Sequence, residues 1–401
     1  SAMKIVAVET ILSDAYPNCV WLRLETDEGL VGLGETFRNP KATVAYIHET
    51  VAPYLLGQDP CAPERHRNAL MRTVGNRFNG FPTRSIEVRG NSAADIALWD
   101  LAAKALDAPL YRLLGGPAHD SLPVYNTCAS DGYNLAAKVI GDSRAAGEGE
   151  DDLALQISDP GGLAVSLLDD GIRGMKIWPF DRFAAKHDGW KIDREDLEAG
   201  AGIVARIRDA VGDEIDVMLE YHGLWRLSAA LDIAEALAPY DVFWHEDPIG
   251  LDHIADLLRY RQETGGRVAA SENLGTTRWL RDALVAGAVD VVQFDLGWIG
   301  GLSEGRRVAA MAEAFDRPIA PHDCVGPILF AADCHLAFAS PNTLTQEIVR
   351  AYLGGWYADI ATGLPNVSGG RLELPSGPGH GADLRPEFLA GPGIDRHATR
   401  L

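Results

Sequence analysis

Short apolar segments between residues 174 and 347 each carry a charged residue or a histidine at or near their end, and these residues recur at an almost constant interval. They are Lys176 in 174–178, Glu220 in 216–222, Glu246 in 242–248, Glu272 in 268–273, Asp295 in 291–295, His322 in 319–323 and Glu347 in 344–347. From Glu220 onward the spacings are 26, 26, 23, 27 and 25 residues. That interval is the length of one strand, one turn, one helix and one loop. A closed parallel barrel places the C-terminal ends of all its strands on one face, where sites form. Polar groups far apart in sequence would then meet at one mouth.

The segments between the strands agree. Residues 228–237, 254–260 and 304–313 carry apolar side chains at i, i+3, i+4 spacing, the period of a helix with one buried face. The strands are nearly continuous apolar runs, as a parallel sheet covered on both faces requires. Strand and helix signals alternate from about residue 123 to residue 350, which favours an α/β barrel over a sandwich. An open doubly wound sheet would need a switch point, and no glycine-rich dinucleotide fingerprint follows an early strand. The expected fold class is therefore α/β, a modified TIM barrel.

The chain has 401 residues, well beyond the roughly 250 of a minimal barrel. Its first part reads differently. Residues 20–26 and 30–35 alternate and flank Asp27, Glu28 and Gly29, a hairpin signal. Residues 91–106 read as a helix, with Asn91 or Ser92 as its cap and Ile96, Trp99, Leu101 and Ala103 on its buried stripe. The punctuation at 113–117 precedes the first barrel strand near Val124. The expected organisation is an N-terminal α+β domain over 1–120, a barrel over 121–350, and a C-terminal segment over 351–401 that returns to the first domain. The connection from 128 to 175 is long and acidic at 147–152; it either covers the mouth or is a solvated excursion.

A formal charge of −21 argues against nucleic acid and anionic membrane as partners, since both are bound through basic surfaces. No leader-like segment and no run of about 18 apolar residues is present, so a cytoplasmic location is expected. Five cysteines form no CxxC pair. Cys324 follows His322 by two residues, but no histidine has a familiar nucleophile–base spacing, and a catalytic thiol is set aside.

Glu220, Glu246 and Glu272 end three consecutive strands. Three converging carboxylates repel one another unless a cation is shared, and oxygen ligands with open positions suit Mg²⁺, with Mn²⁺ as a substitute. The alternative is that one or more of them faces a helix or forms a salt bridge. Asp295 and His322 end the next two strands, and a carboxylate beside an imidazole makes a general base poised near neutrality. Lys176 is placed to hold a substrate carboxylate, to act as acid or base, or to pair with a glutamate. Glu347 is placed to hydrogen-bond a substrate oxygen. His222 is expected on the same side as Glu220 on a continuing strand, suited to general-acid work on a leaving group or to packing. His245 should point away.

These motifs together resemble the enolase superfamily, in its mandelate racemase-like subgroup, over essentially the whole chain. The carrying residues are Leu219-Glu220, the run from Trp244 through Glu246 to Pro248, Ser271-Glu272-Asn273, Asp295 with Gly300-Gly301, Pro321-His322 and Gln346-Glu347. The resemblance implies a (β/α)7β barrel under a capping domain and Mg²⁺ on Glu220, Glu246 and Glu272. It further implies His322 with Asp295 as base, Glu347 on the enediolate, and a homo-oligomer. Racemases of the subgroup usually carry Lys-x-Lys on the second strand, and here the second lysine is replaced by Trp178. His222 instead resembles the histidine of acid-sugar dehydratases. The implied activity is a Mg²⁺-dependent dehydratase of a sugar acid (aldonate or aldarate). Such an enzyme abstracts the α-proton and eliminates the 3-hydroxyl to give a 2-keto-3-deoxy acid. A racemase, epimerase or cycloisomerase working through the same enediolate is the alternative, and a silent sugar-acid-binding relative a third reading. Phe37, Arg38, Trp178 and Asn273, with the 76–81 loop, are the candidates to contact substrate, and Arg38 or Arg89 is available for a second carboxylate.

Overall fold

The structure is a computed structural model that describes residues 3–71, 85–133 and 151–401. The chain opens with three antiparallel strands, Ile5–Ser13, Cys19–Thr26 and Val31–Phe37. Glu25 pairs with Val31, so the hairpin closes across Asp27, Glu28 and Gly29, with Gly29 at φ 82° as such a turn requires. The helix Ile86–Ala105 packs against the sheet. It begins five residues before Asn91, so neither Asn91 nor Ser92 caps it. Gly90 lies inside the helix with Tyr46 packed on it; a Cβ at that position would sit 2.6 Å from the Tyr46 ring. Asn91 accepts from the Tyr46 hydroxyl at 2.8 Å, and Ser92 donates to Val88 O at 2.7 Å.

The barrel strands follow in chain order as Ser121–Thr127, Gly174–Ile177, Asp216–Glu220, Trp244–Glu246, Val268–Ala270 and Val291–Val292, each parallel to the next. The parallel pairings continue from Val292 to Ile319 and from Ile319 to Thr343, and Gln346–Ile348 pairs with the first strand. The succession thus leads back to its start. Long helices, from Pro160–Asp169 through Arg194–Val211 to Pro327–Ala339, run between consecutive strands. Tyr125, Met218, Trp244, Ala269, Val291 and Ala320 pack into a cluster of their own. The Tyr125 and Trp244 rings meet edge to face at 5.1 Å. This plug is the floor under the strand ends.

The C-terminal strand Ile394–Arg400 pairs antiparallel with Ile5–Ser13, and Arg396 grips Glu9 with two contacts of 2.7 and 3.1 Å. At the mouth, capping-domain side chains take over the ends of barrel helices. Glu35 accepts from Ile328 N and Leu329 N at 3.1 and 2.9 Å, at the start of helix Pro327–Ala339, and from Trp21 Nε1 at 2.6 Å. Gly326 leaves the room, since a Cβ there would lie 2.0 Å from Glu35 Oε1. Asp95 accepts from Ser303 N and Oγ at 2.9 and 2.6 Å, on helix Gly301–Ala314. Thr36 Oγ1 donates to Gly297 O at 2.7 Å. Each side-chain cap stabilises by about 1 kcal/mol, but together they fix where Phe37 and Arg38 stand over the barrel. Among the described residues, no helix is long and apolar enough to cross a membrane.

Candidate active site

A cavity of about 360 Å³ opens at the C-terminal ends of the strands. Lys176, His222, Glu272, Asn273, His322, Glu347, Trp178, Phe37 and Arg38 all line it. Glu220, Glu246 and Asp295 lie just behind, each in contact with a lining residue.

The deepest layer is a charge network. Lys176 Nζ is 2.8 Å from Glu246, 2.9 Å from Glu347 and 3.7 Å from Glu220. Burial disfavours the ammonium, yet Glu246 and Glu347 outweigh it and hold its pKa well above the usual lysine value. Glu246 also accepts from Trp244 Nε1 at 3.2 Å and Gln293 Nε2 at 3.0 Å. Burial acts to raise its pKa, but the lysine brings it below the usual carboxylate range. Glu220 goes the other way. Burial first, and then the charge of Glu246, push its pKa well up. Its Oε2 is buried without a hydrogen-bond partner.

Above this layer, His322 is held from both sides. Nδ1 is 2.6 Å from Asp295 Oδ2 and Nε2 is 3.0 Å from Glu272 Oε2. Asp295 is itself fixed because Oδ1 accepts from Gly297 N at 2.7 Å. Burial opposes a charged ring, but Glu347 and Glu272, with the Asp295 hydrogen bond, raise the His322 pKa well above its ordinary value. Burial would likewise raise the Glu272 pKa, but His322 holds it far below the carboxylate range. Glu347 accepts from Thr127 Oγ1 and, at 3.1 Å, from Asp323 N.

His222 is not on a continuing strand. The strand ends at Glu220, and His222 has φ 51°, a left-handed turn conformation uncommon for a residue with a side chain. The turn folds the histidine back over the mouth, where its N–H bonds Glu220 Oε1 at 2.5 Å and its Nδ1 lies 2.5 Å from Asp181 Oδ2. Burial lowers its pKa, but Asp181 more than compensates and the net direction is upward. His245 faces the other way, bonded through Nδ1 to the hydroxyls of Tyr221 and Tyr260 at 2.7 and 2.8 Å.

Among the described residues, Glu220, His222 and Glu272 can offer ligand atoms all within 4.8 Å of one another. This differs in one member from the three strand-end glutamates, because Glu246 is turned to Lys176. Two buried carboxyls on neighbouring strand ends, one with an unpartnered oxygen, are nonetheless a donor set that a hard divalent cation would relieve.

The upper wall is aromatic. Phe37 meets Trp298 edge to face at 5.9 Å, and Trp178 lies 5.5 Å from Tyr133 and 5.8 Å from His222. Arg38 lines the cavity, at φ 69° in the turn after its strand. Arg89 does not line it; its guanidinium stacks behind the wall, 4.1 Å from the Trp298 ring centre. Cys324 lines the cavity with its thiol pKa pushed up to about 12 by burial, the opposite of a reactive cysteine.

Residues 5–115 match the N-terminal domain of the mandelate racemase / muconate lactonizing enzyme family, and residues 162–388 match the enolase C-terminal domain-like family. The chain belongs to the enolase superfamily. It falls in the mandelate racemase subgroup, as does a crystal structure from Agrobacterium tumefaciens. That structure is 40% identical, superposes with a TM-score of 0.87 and covers 99% of each chain. Among curated relatives, a D-gluconate dehydratase of Thermoproteus tenax is 32% identical over 92% of this chain and 69% of its own length. A D-galactonate dehydratase of Ralstonia nicotianae is 30% identical over 94% and 89%. Within this superfamily member, sequence reasoning missed Asp181, Thr127, Tyr133, Trp298 and Gln293. Thr127 ends the first barrel strand, and the strand-end rule applied there would have found it. The 76–81 loop lies outside the described residues, as does most of the acidic stretch at 147–152.

Proposed function

We propose that the protein is a Mg²⁺-dependent dehydratase of a sugar acid. It would remove the α-proton of an aldonate or aldarate and expel the 3-hydroxyl as water, giving a 2-keto-3-deoxy acid. The observation that carries this reading is the different standing of the cavity's three nitrogen bases. Lys176 is locked as an ammonium between Glu246 and Glu347, so it serves as a charge and not as a base. Two histidines remain, each paired with its own carboxylate. The similarity to D-gluconate and D-galactonate dehydratases supports the same reaction class.

Glu220, Glu246 and Glu272 are proposed to hold the cation; His222 lies beside Glu220 and Glu272 and is kept for proton transfer, since its Nδ1 is taken by Asp181. Bound there, Mg²⁺ would supply Lewis-acid stabilisation for the charge that builds on the substrate carboxylate. The ammonium of Lys176 binds that carboxylate and excludes a second proton acceptor beside it. His322, oriented through Nδ1 by Asp295, takes the α-proton on Nε2. Glu347 and Thr127 hold Lys176 and the enediolate oxygens in a preorganised polar frame. His222 Nε2 passes a proton to the 3-hydroxyl as the C–O bond breaks, and the enol left behind tautomerises to the keto acid. The Phe37–Trp298 edge, with Trp178, Arg38 and Asn273, borders the remaining hydroxyls.

The test is a panel of aldonic and aldaric acids with Mg²⁺ in D₂O, read for keto acid and for α-deuterium. Keto acid from at least one substrate is the expected result. Deuterium uptake without keto acid would instead make the protein an epimerase using the same enediolate.

A further inference from the structure

Asp181 has no place in the strand-end pattern, yet it makes one of the shortest polar contacts in the cavity. We propose that Asp181 is a positioning residue for the elimination step: it fixes which nitrogen of His222 faces the substrate. This rests on the dehydratase reading.

Both ends of the contact are built to hold it. Asp181 follows the turn from Trp178 to Phe180 at the end of the second barrel strand. Phe180 is fully buried against helix Arg194–Val211, where Gly200 gives it room; a Cβ there would lie 2.2 Å from the ring. The loop beyond Asp181 packs backbone to backbone on the loop beyond His222. Gly189, at φ 74°, lies so close to Leu224 O that a Cβ would come within 2.1 Å, and Arg226 N bonds Gly189 O at 2.9 Å. His222 sits at φ 51°, and the Trp178 ring packs against its ring at 74°, centroid to centroid 5.8 Å, which opposes rotation about χ2.

In this frame Nδ1 is 2.5 Å from Asp181 Oδ2. A carboxylate only accepts, so Nδ1 carries a hydrogen and Nε2 is the nitrogen presented to the cavity. The other carboxylate oxygen, Oδ1, is buried with no partner, a cost that a purely structural surface loop has no reason to carry. The arrangement mirrors Asp295–His322, with one difference in origin. That pair comes from two neighbouring strand ends, and this one from the first residue of the short helix Asp181–Ala184 and a turn.

The prediction is an uncoupling. In Asp181→Asn the amide can turn its NH₂ toward Nδ1 and reverse the tautomer, while Asp181→Ala removes the partner. Either variant should lower keto-acid formation about 100-fold or more, the usual share of a general acid. Exchange of the α-proton with D₂O, which belongs to His322, should persist, so the ratio of exchange to elimination rises. Mg²⁺ affinity measured by calorimetry should stay within about threefold of wild type, the spread expected for a site whose ligands are untouched. Side-chain ¹⁵N spectra of the substrate-free protein give a readout independent of turnover: wild-type His222 should show Nδ1–H, and Asp181→Asn a loss of that form. Parallel loss of exchange and elimination, a fall in Mg²⁺ affinity, or an unchanged ¹⁵N pattern would each overturn the proposal. A wild-type enzyme that exchanges but never eliminates would show instead that the dehydratase reading is what failed.

Discussion

The site has two halves of different construction. The lower half, Lys176, Glu220, Glu246, Glu272, Asp295, His322 and Glu347, stands on strand ends and is knit together by ion pairs. The upper half, Phe37, Arg38, Trp298, Trp178, Asp181 and His222, stands on turns and short helices beyond the strand ends and on the capping domain. Its members meet through ring edges, turns and one short polar contact. In the lower half nearly every polar atom has a partner, and the charges decide one another's protonation. In the upper half backbone geometry decides position, with left-handed residues at Arg38 and His222. The difference suggests a division of labour. On the proposed function, proton transfer at the α-carbon belongs to the lower half, and the choice of substrate and of the bond to be broken to the upper.

The largest effect should come from the lower half. His322→Asn should reduce both α-proton exchange and keto-acid formation by about 1,000-fold or more, for every substrate alike. Trp298→Ala, in the upper half, should raise KM about tenfold through lost packing and leave kcat within about threefold, since uniform binding is what it supplies. Steady-state kinetics of the two variants on two substrates would check the contrast. A Trp298→Ala enzyme as crippled in kcat as His322→Asn would break the division.

A second prediction concerns the cation. His322 has a raised pKa in part because Glu272 faces it. A divalent ion on Glu272 offsets that negative charge, so the histidine's proton affinity must fall on binding. The sign follows: Mg²⁺ binding releases a proton, and affinity climbs with pH until His322 is already neutral. Calorimetry in two buffers of different ionisation enthalpy reads the proton count. Binding without proton release would remove Glu272 from the ligand set.

The same division explains what the sequence could reveal. Strand-end residues are legible because the barrel repeats, and a repeat of 23 to 27 residues is visible without any homologue. Asp181 and Trp298 are not on that grid. Their positions depend on how the short segments beyond the strands pack, through contacts such as Phe180 on Gly200 of helix Arg194–Val211, which no local pattern announces. His222 was placed on the right side for the wrong reason: a continuing strand was expected, and a left-handed turn delivers it. Asn91 is not a helix cap, because the helix already starts at Ile86 and the Asn91 side chain is used in a tertiary contact with the Tyr46 hydroxyl.

The smallest effect is expected where the two halves are joined. Glu35 caps helix Pro327–Ala339 from the capping domain, two residues before Phe37. Burial raises its pKa to about 8, against the pull of the Leu329, Trp21 and Ile328 hydrogen bonds. The folded protein therefore keeps a proton that the unfolded chain gives up in the ordinary carboxylate range. Folded-state binding of that proton stabilises below the unfolded pKa, and the benefit is lost as pH rises toward 8. Glu35→Gln keeps an acceptor for the helix but presents an NH₂ to Trp21 Nε1, losing one hydrogen bond worth about 1 kcal/mol. Thermal unfolding midpoints should then show wild type ahead of the variant at pH 5.5, with the gap narrowing by pH 8.5. Turnover at saturating substrate should hardly change, because no reacting group moves. Parallel midpoint curves would mean that Glu35 is ionised in both states. The joint between cap and barrel would then be an anion on a helix N-terminus, insensitive to pH across the neutral range.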